Sequence, residues 1–289
     1  MNKSASMKNV MIEMEVLLCL AALLLLLFKH NVDGSQAHPV AEQGEVMDLS
    51  DFLEAGEEPV THPDLSTFMK EHSDHTDSIT EAETEDAKTQ NEESDQTDQR
   101  DNWRLILVNK QNPVPADYEV KLTDISGTMQ VDERIATDLA AMLRAAKDDG
   151  VSLSIVSAYR DMDKQTKLFE AKIRRCMKNG TTYMDAYSKA SESVTVPGSS
   201  EHQLGLALDI VGSGHQALDE SFGDTEAGKW LARYCDEYGF ILRYPKGKEY
   251  ITGIIYEPWH FRYVGREAAR EIMGNEITLE EYLWSMGDQ

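Results

Sequence analysis

Residues 197 to 210 read PGSSEHQLGLALDI, and this stretch decides the fold. The Pro-Gly pair marks a turn, and apolar residues then alternate with other residues from Leu206 to Val211, which is typical of a strand. The alternation places Asp209 on that strand among apolar neighbours. Because burying an unpaired charge is costly, its carboxylate needs a cationic partner or a metal. His202 lies in the loop that feeds the strand, so these two residues either share one ion or form a capped histidine and a separate salt bridge.

A second stretch, residues 257 to 260, reads Glu-Pro-Trp-His. Pro258 excludes a continuing helix and favours an extended, bent backbone. On a regular strand Glu257 and His260 would point to opposite faces, whereas a bend at Pro258 brings both to one side. Two imidazoles and the Asp209 carboxylate then leave the fourth tetrahedral position of Zn2+ to water, as in the open sites of hydrolases. Glu257 is the expected general base, which takes a proton from this water and later delivers it to the leaving amine.

Several short motifs follow one another in order along the chain: LILVNK at 105–110, SAYR at 157–160, Gln165, SEHQ at 200–203, GLA at 205–207 with Asp209, and E-x-WH-x-RYVG at 257–265. In this order they resemble the D-alanyl-D-alanine carboxypeptidases of the vancomycin-resistance type, within the wider lysostaphin-like and hedgehog-like zinc group. The similarity covers residues 103 to 264. The resemblance implies zinc ligands at His202, Asp209 and His260, and a catalytic carboxylate at Glu257.

The same resemblance implies how the substrate is held. Arg160 would polarise the scissile carbonyl, since a guanidinium there stabilises the oxyanion that develops on attack. Ser200 and Gln165 would hold the terminal carboxylate of the substrate, and Tyr159 and Trp259 would wall the groove. Sequence spacing alone leaves other interpretations open: an arginine paired with a neighbouring aspartate at a helix start, a turn serine, a cap glutamine and two aromatic residues in ordinary core packing.

The function implied is zinc-dependent removal of the terminal D-alanine from peptidoglycan stem peptides. The same zinc core also serves L,D-carboxypeptidases acting on tetrapeptide stems, which stays an alternative. A catalytically silent wall-binding module would be marked by loss of Glu257 or of a ligand, and none is lost. A secreted signalling ligand is a third alternative. Asp161 stands where the family often has Ser, which bears on fine specificity rather than on the reaction.

Composition excludes one class of partner. The formal net charge of −24 at pH 7 and the lack of a basic cluster argue against binding to nucleic acid. The domain is expected to be a monomer. Of the three cysteines, Cys19 lies in an apolar stretch, so Cys176 and Cys235 are either a disulfide pair or two small buried side chains.

Three regions are predicted along the chain. Residues 1–31 carry Lys3 and Lys8 before an apolar run that extends to Phe28, which indicates an export signal, retained as a membrane anchor or cleaved. We expect an extracytoplasmic protein, anchored to the cell membrane or secreted if the segment is cleaved. Residues 32–101 are acidic and poor in apolar side chains, which predicts a solvated linker. Its histidines, His62, His72 and His75, are expected to be solvated, and two short patches, Asp48–Leu53 and Leu65–Met69, to form at most transient helical turns.

Residues 102–289 are predicted to form the catalytic domain, an α+β fold in which helices flank a mainly antiparallel sheet that carries the zinc site. Helical periodicity predicts helices over Asp132–Ala146, Lys164–Cys176 and Glu226–Tyr238. Apolar runs and alternation predict strands over Leu105–Val108, Val151–Val156, Leu206–Val211, Tyr238–Arg243, Ile251–Tyr256 and His260–Val264. His215 has no second ligand at useful spacing and is expected at the surface.

Overall fold

The computed structural model describes residues 65–72, 103–178, 180–215 and 217–287. These residues form eight α-helices and six strands. In chain order they are α1 (Ser66–Glu71), β1 (Leu122–Ser126), β2 (Met129–Asp132), α2 (Ala136–Asp148), β3 (Leu153–Ser157), α3 (Met162–Met177), α4 (Tyr183–Ala190), β4 (Ala207–Gly212), α5 (Glu226–Tyr234), β5 (Phe240–Leu242), α6 (Glu249–Thr252), β6 (His260–Tyr263), α7 (Arg266–Gly274) and α8 (Leu279–Ser285).

The sheet that positions the site has four strands in the order β3-β4-β6-β5, and every neighbouring pair is antiparallel. Strand β4 lies inside the sheet, and all six of its residues are buried. Its register places Asp209 opposite His260 of β6 and opposite Ser157 of β3. Strands β1 and β2 form a separate antiparallel hairpin. The α+β class with an antiparallel sheet is therefore confirmed.

Side chains beside the helices fix where several of them begin. Asp161 accepts a hydrogen bond from the Lys164 amide at the start of α3. At α8, Thr278 and Glu281 form a capping box in which each side chain binds the other's backbone amide. Such caps satisfy amides that have no partner within the helix. The main core packs under the sheet, whereas α7 and α8 bury a second apolar cluster against Ile241 and Val264.

Two predicted strands are wrong. At Leu105–Val108 a short 3-10 turn, Trp103–Leu105, is followed by irregular backbone. The carbonyls of Arg104 and Ile106 accept hydrogen bonds from the buried Arg262 guanidinium at 3.0 and 2.9 Å, so a side chain takes the place of a neighbouring strand.

The second error lies at Ile251–Tyr256, where α6 ends and irregular backbone follows. Gly253 ends the helix in the left-handed region at φ 70°. The amide of Ile255 then binds the Glu192 carbonyl in a loop contact rather than in the sheet. One residue of this apolar run, Ile254, is buried and lines the cavity described in the next subsection.

The patch Leu65–Met69 is more ordered than the sequence predicts. Helix α1 buries Leu65 and Phe68, and Arg144 of α2 donates to the Met69 carbonyl at 2.6 Å. Burying an aromatic side chain of this size contributes about 2 kcal/mol. His72, expected to be solvated, is partly buried and contacts the Phe68 carbonyl at 2.9 Å. Part of the stretch predicted as linker is therefore helical.

Other expectations lie outside the described residues, among them the segment 1–31, the patch Asp48–Leu53, His62 and His75. No helix among the described residues is both long and apolar enough to span a bilayer. Cys176 and Cys235 are both buried and form no disulfide, which is the second of the two interpretations above. His215 is partly exposed at the surface, and its Nε2 lies 3.4 Å from Oδ1 of Asp219. The monomeric state stays a prediction.

Candidate metal centre

Three buried side chains from separate parts of the chain converge at one edge of β4. His202 Nε2 lies 3.4 Å from Asp209 Oδ2, and His260 Nδ1 lies 3.2 Å from Asp209 Oδ1. One ligand atom from each of the three residues lies within 4.8 Å of the others. Two imidazole nitrogens and a carboxylate oxygen form a donor set that suits Zn2+.

The loop before β4 delivers His202 to this point. It lies in a 3-10 turn, Glu201–Leu204, that ends at Gly205 with φ 72°. A side chain at Gly205 would place its Cβ 2.9 Å from the Asp132 amide nitrogen, so glycine is required both for the conformation and for the space. The imidazole Nδ1 of His202 contacts the Ala158 carbonyl at 2.7 Å. This contact assigns the Nδ1 proton and leaves Nε2 available as a ligand.

The bend at Pro258 brings Glu257 to the same side as His260. The His260 amide binds the Glu257 carbonyl at 3.1 Å, which closes a tight turn around Pro258. As a result Glu257 Oε2 lies 3.7 Å from His260 Nδ1, and the carboxyl is only 3% exposed. The structure therefore places an acidic side chain beside the three donor atoms.

Burial and the neighbouring charges shift the pKa of His202, His260 and Glu257. Burial, helped by the Arg160 charge, lowers the pKa of His202 to about 4, so this imidazole is neutral near pH 7. Burial would lower the pKa of His260 too, but contacts with Asp209 and Glu201 raise it to about 9. Burial raises the pKa of Glu257 to about 8, and the Asp209 charge adds to this.

The unmet bonding capacity of the cluster fits a cation. His202 Nε2, both carboxylate oxygens of Asp209 and Oε1 of Glu257 are buried, and none makes a hydrogen bond to a described residue. The cavity that they line has a volume of about 20 Å³, which is enough for at least one water molecule. Buried acceptors in this number are costly unless a proton or a metal ion meets them.

The other predicted site residues divide into two groups. Arg160, Ser200 and Trp259 line the cavity and are buried. Gln165 and Tyr159 do not line it. Gln165 is completely buried and donates from Nε2 to the Thr195 carbonyl at 2.7 Å, while Tyr159 is half-buried and binds Gln130 through its backbone.

Some residues at the site were missed by sequence reasoning. The Tyr244 ring lines the cavity, and its centroid lies 4.8 Å from that of His260. Arg243 beside it is fully buried and binds Glu201. Lys172 of α3 is buried, and its charge lowers the pKa of Glu257. The sequence offered one signal, a charged residue on the apolar face of a predicted helix or strand, and Arg243 and Lys172 both show it.

The chain is similar to proteins of known activity. Residues 128–266 match the family model described as VanY, D-alanyl-D-alanine carboxypeptidase. A D-alanyl-D-alanine carboxypeptidase of Enterococcus faecalis (strain ATCC 700802 / V583) is 42% identical over 225 residues, which are 78% of this chain and 77% of that protein.

Two solved structures are similar in fold and in sequence. VanYB in complex with D-alanine-D-alanine has a TM-score of 0.60 and 44% identity, over 63% of this chain and 98% of that chain. A mutant of the vancomycin-resistance D,D-pentapeptidase VanY in complex with Zn(II) has a TM-score of 0.58 and 45% identity, over 63% of this chain and 99% of that chain.

Proposed function

The chain belongs to the VanY family of D-alanyl-D-alanine carboxypeptidases, and from this premise we propose that His202, Asp209 and His260 form its zinc site. The protein is a zinc-dependent carboxypeptidase that removes the terminal D-alanine from peptidoglycan stem peptides. The observation that carries the assignment of residues is the convergence of three buried donors beside a fourth buried acid. A bound Zn2+ supplies Lewis acidity, which polarises a carbonyl and lowers the pKa of a water.

Glu257 moves the proton in this proposal. Its carboxylate accepts a proton from the attacking water and then delivers it to the amine of the departing D-alanine. Burial raises the pKa of Glu257 to about 8 in the metal-free protein, which makes its carboxylate a stronger base than that of an ordinary glutamate. A carboxylate with an ordinary pKa is a weaker base and would take the proton from the attacking water less readily.

Arg160 acts on the scissile carbonyl. Its guanidinium is 5% exposed and lines the cavity, and its backbone amide binds the His202 carbonyl at 3.2 Å, which ties it to the donor cluster. A fixed positive charge in a site of low dielectric stabilises the developing oxyanion more strongly than it stabilises the substrate. The carboxylate of Asp161 caps the N-terminus of α3, so we assign this side chain to the helix rather than to the substrate.

The terminal carboxylate of the substrate is assigned to Ser200, with Gln165 and Thr195 behind it. Ser200 lines the cavity directly. Gln165 reaches the same wall through its hydrogen bond to Thr195, a residue that also lines the cavity. Trp259 forms an apolar wall of the cavity, whereas Tyr159 does not line it and is not assigned a contact with the substrate.

The reaction is tested by incubating the full chain and zinc with pentapeptide and with tetrapeptide stems and identifying the released amino acid. The full chain is used because Leu65 and Phe68 are part of the core. We expect D-alanine from the pentapeptide only. Release from the tetrapeptide alone would identify an L,D-carboxypeptidase, and binding without release would indicate a wall-binding module.

We also propose that the protein is extracytoplasmic and held at the membrane by residues 1–31. The support is the order of Lys3 and Lys8, an apolar run from Val16 to Phe28, and Lys29. Cell fractionation should find the full chain with membranes and a chain lacking residues 1–31 in the cytosol. A full chain found in the cytosolic fraction would contradict the proposal.

A further inference from the structure

A buried series of four charged side chains connects α8 to the site. Glu280 of α8 accepts hydrogen bonds from Nη1 and Nη2 of Arg243 at 2.9 and 2.7 Å. The same guanidinium donates from Nε to Glu201 Oε1 at 2.8 Å, and Arg262 Nη1 lies 2.9 Å from that oxygen. Glu280 is the most exposed of the four, at 3%. Ion pairs this deeply buried persist only when their geometry satisfies both partners.

The other oxygen of Glu201 faces a proposed zinc ligand. Glu201 Oε2 lies 3.7 Å from His260 Nε2, and neither atom has a hydrogen-bond partner among the described residues. His260 turns Nδ1 toward Asp209, which leaves Nε2 to carry the proton that points at Glu201. Metal-bound histidines commonly donate this second N–H to a carboxylate, and a shift of about 0.5 Å would close the contact.

The charges of the series balance. Arg243 and Arg262 carry two positive charges, and Glu201 and Glu280 carry two negative charges. Removing the charge of Glu280 would leave one net positive charge buried next to the place proposed for a divalent cation. It would also leave Arg243 with Glu201 as its one acidic partner in the series, and so draw that carboxylate away from His260. Both changes oppose binding of the cation.

We propose that Glu280 is a positioning residue for the zinc site, acting through Arg243 and Glu201 to orient His260 and to balance the charge around it. This inference rests on the proposed zinc site. Glu280 lies beyond residue 266, where the match to the family model ends. Through this one residue, helix α8, which also buries the second apolar cluster, is connected to the zinc site.

The test is Glu280→Gln in the full chain, with zinc affinity measured by chelator competition and the visible spectrum recorded after Co2+ substitution. We expect zinc affinity and kcat each to fall by about tenfold, with KM little changed and the cobalt bands shifted. Glu280→Asp keeps the charge on a shorter side chain, so its zinc affinity and kcat should lie between those of the wild type and of Glu280→Gln. If Glu280→Gln does not fold, unchanged zinc affinity and an unchanged cobalt spectrum in Glu280→Asp would overturn the inference.

The matched control is Glu281→Ala, one residue along the same helix. It removes the capping box with Thr278 and the ion pair with Lys248, but it does not touch Arg243. The control should unfold at a lower temperature than the wild type, but its zinc affinity and the visible spectrum of its Co2+ form should be unchanged. If it reproduces the changes of Glu280→Gln, helix stability is the cause and the inference fails. Wild-type protein that binds no zinc would instead refute the proposed function itself.

Discussion

Replacing Glu257 by Gln is expected to lower kcat for D-alanine release by at least about a hundredfold, the usual scale for removing a general base. The amide has nearly the same shape as the carboxyl, so the turn around Pro258 and the position of His260 should not change. It has no basic oxygen that could accept the proton of the attacking water. Zinc affinity should stay close to that of the wild type, because Glu257 lies beside the donor set and is not assigned to it.

The measurement is steady-state release of D-alanine from a pentapeptide stem, with zinc content determined on the same samples. Glu192→Gln makes the same chemical change at an exposed residue and should leave the rate unaltered. A near-normal rate in Glu257→Gln would remove Glu257 from the role of base. Loss of zinc together with activity would make Glu257 a ligand instead.

The donor set could be predicted because local sequence rules act directly on each of its members. Alternation from Leu206 to Val211 fixes the strand that carries Asp209, and a proline forces the bend before His260. Antiparallel pairing then places Asp209 and His260 opposite each other. The strand and the bend each depend on a spacing of a few residues, and this is the range over which periodicity and turn chemistry are informative.

The buried charged residues that contact the donor set could not be predicted in the same way. Glu280 and Arg243 are 37 residues apart, and their pairing depends on how α8 packs against the sheet. The wrong prediction of a strand at Leu105–Val108 has the same origin, since Arg262 binds carbonyls more than 150 residues earlier in the chain. A strongly apolar run can pair in a sheet or receive a buried arginine, and its own sequence does not distinguish these outcomes.

Removing the metal is expected to abolish D-alanine release completely, and added Zn2+ should restore it. The three donors hold the one Lewis acid of the proposed reaction, so the remaining side chains cannot activate water on their own at a useful rate. The measurement is a rate before chelation, after chelation and dialysis, and after stepwise addition of zinc. Full activity in protein shown to contain no metal would exclude the mechanism.

Restoration depends on the metal-free protein staying folded, and the raised pKa of His260 makes the stability of that form depend on pH. Contacts with Asp209 and Glu201 raise this pKa from 6.5 to about 9 in the metal-free fold, so a proton on His260 balances the buried carboxylates. A raised pKa contributes stability that is fully present below 6.5 and is lost as pH rises through 9. The raised pKa of Glu257, about 8, acts in the same direction.

The metal-free protein should therefore melt at progressively lower temperature between pH 6.5 and 9. Zinc-loaded protein should change less over this range, because the cation replaces the proton as the partner of the carboxylates and binds the folded state alone. Equal pH dependence of the two forms, followed by thermal unfolding, would show that His260 and Glu257 do not face the metal.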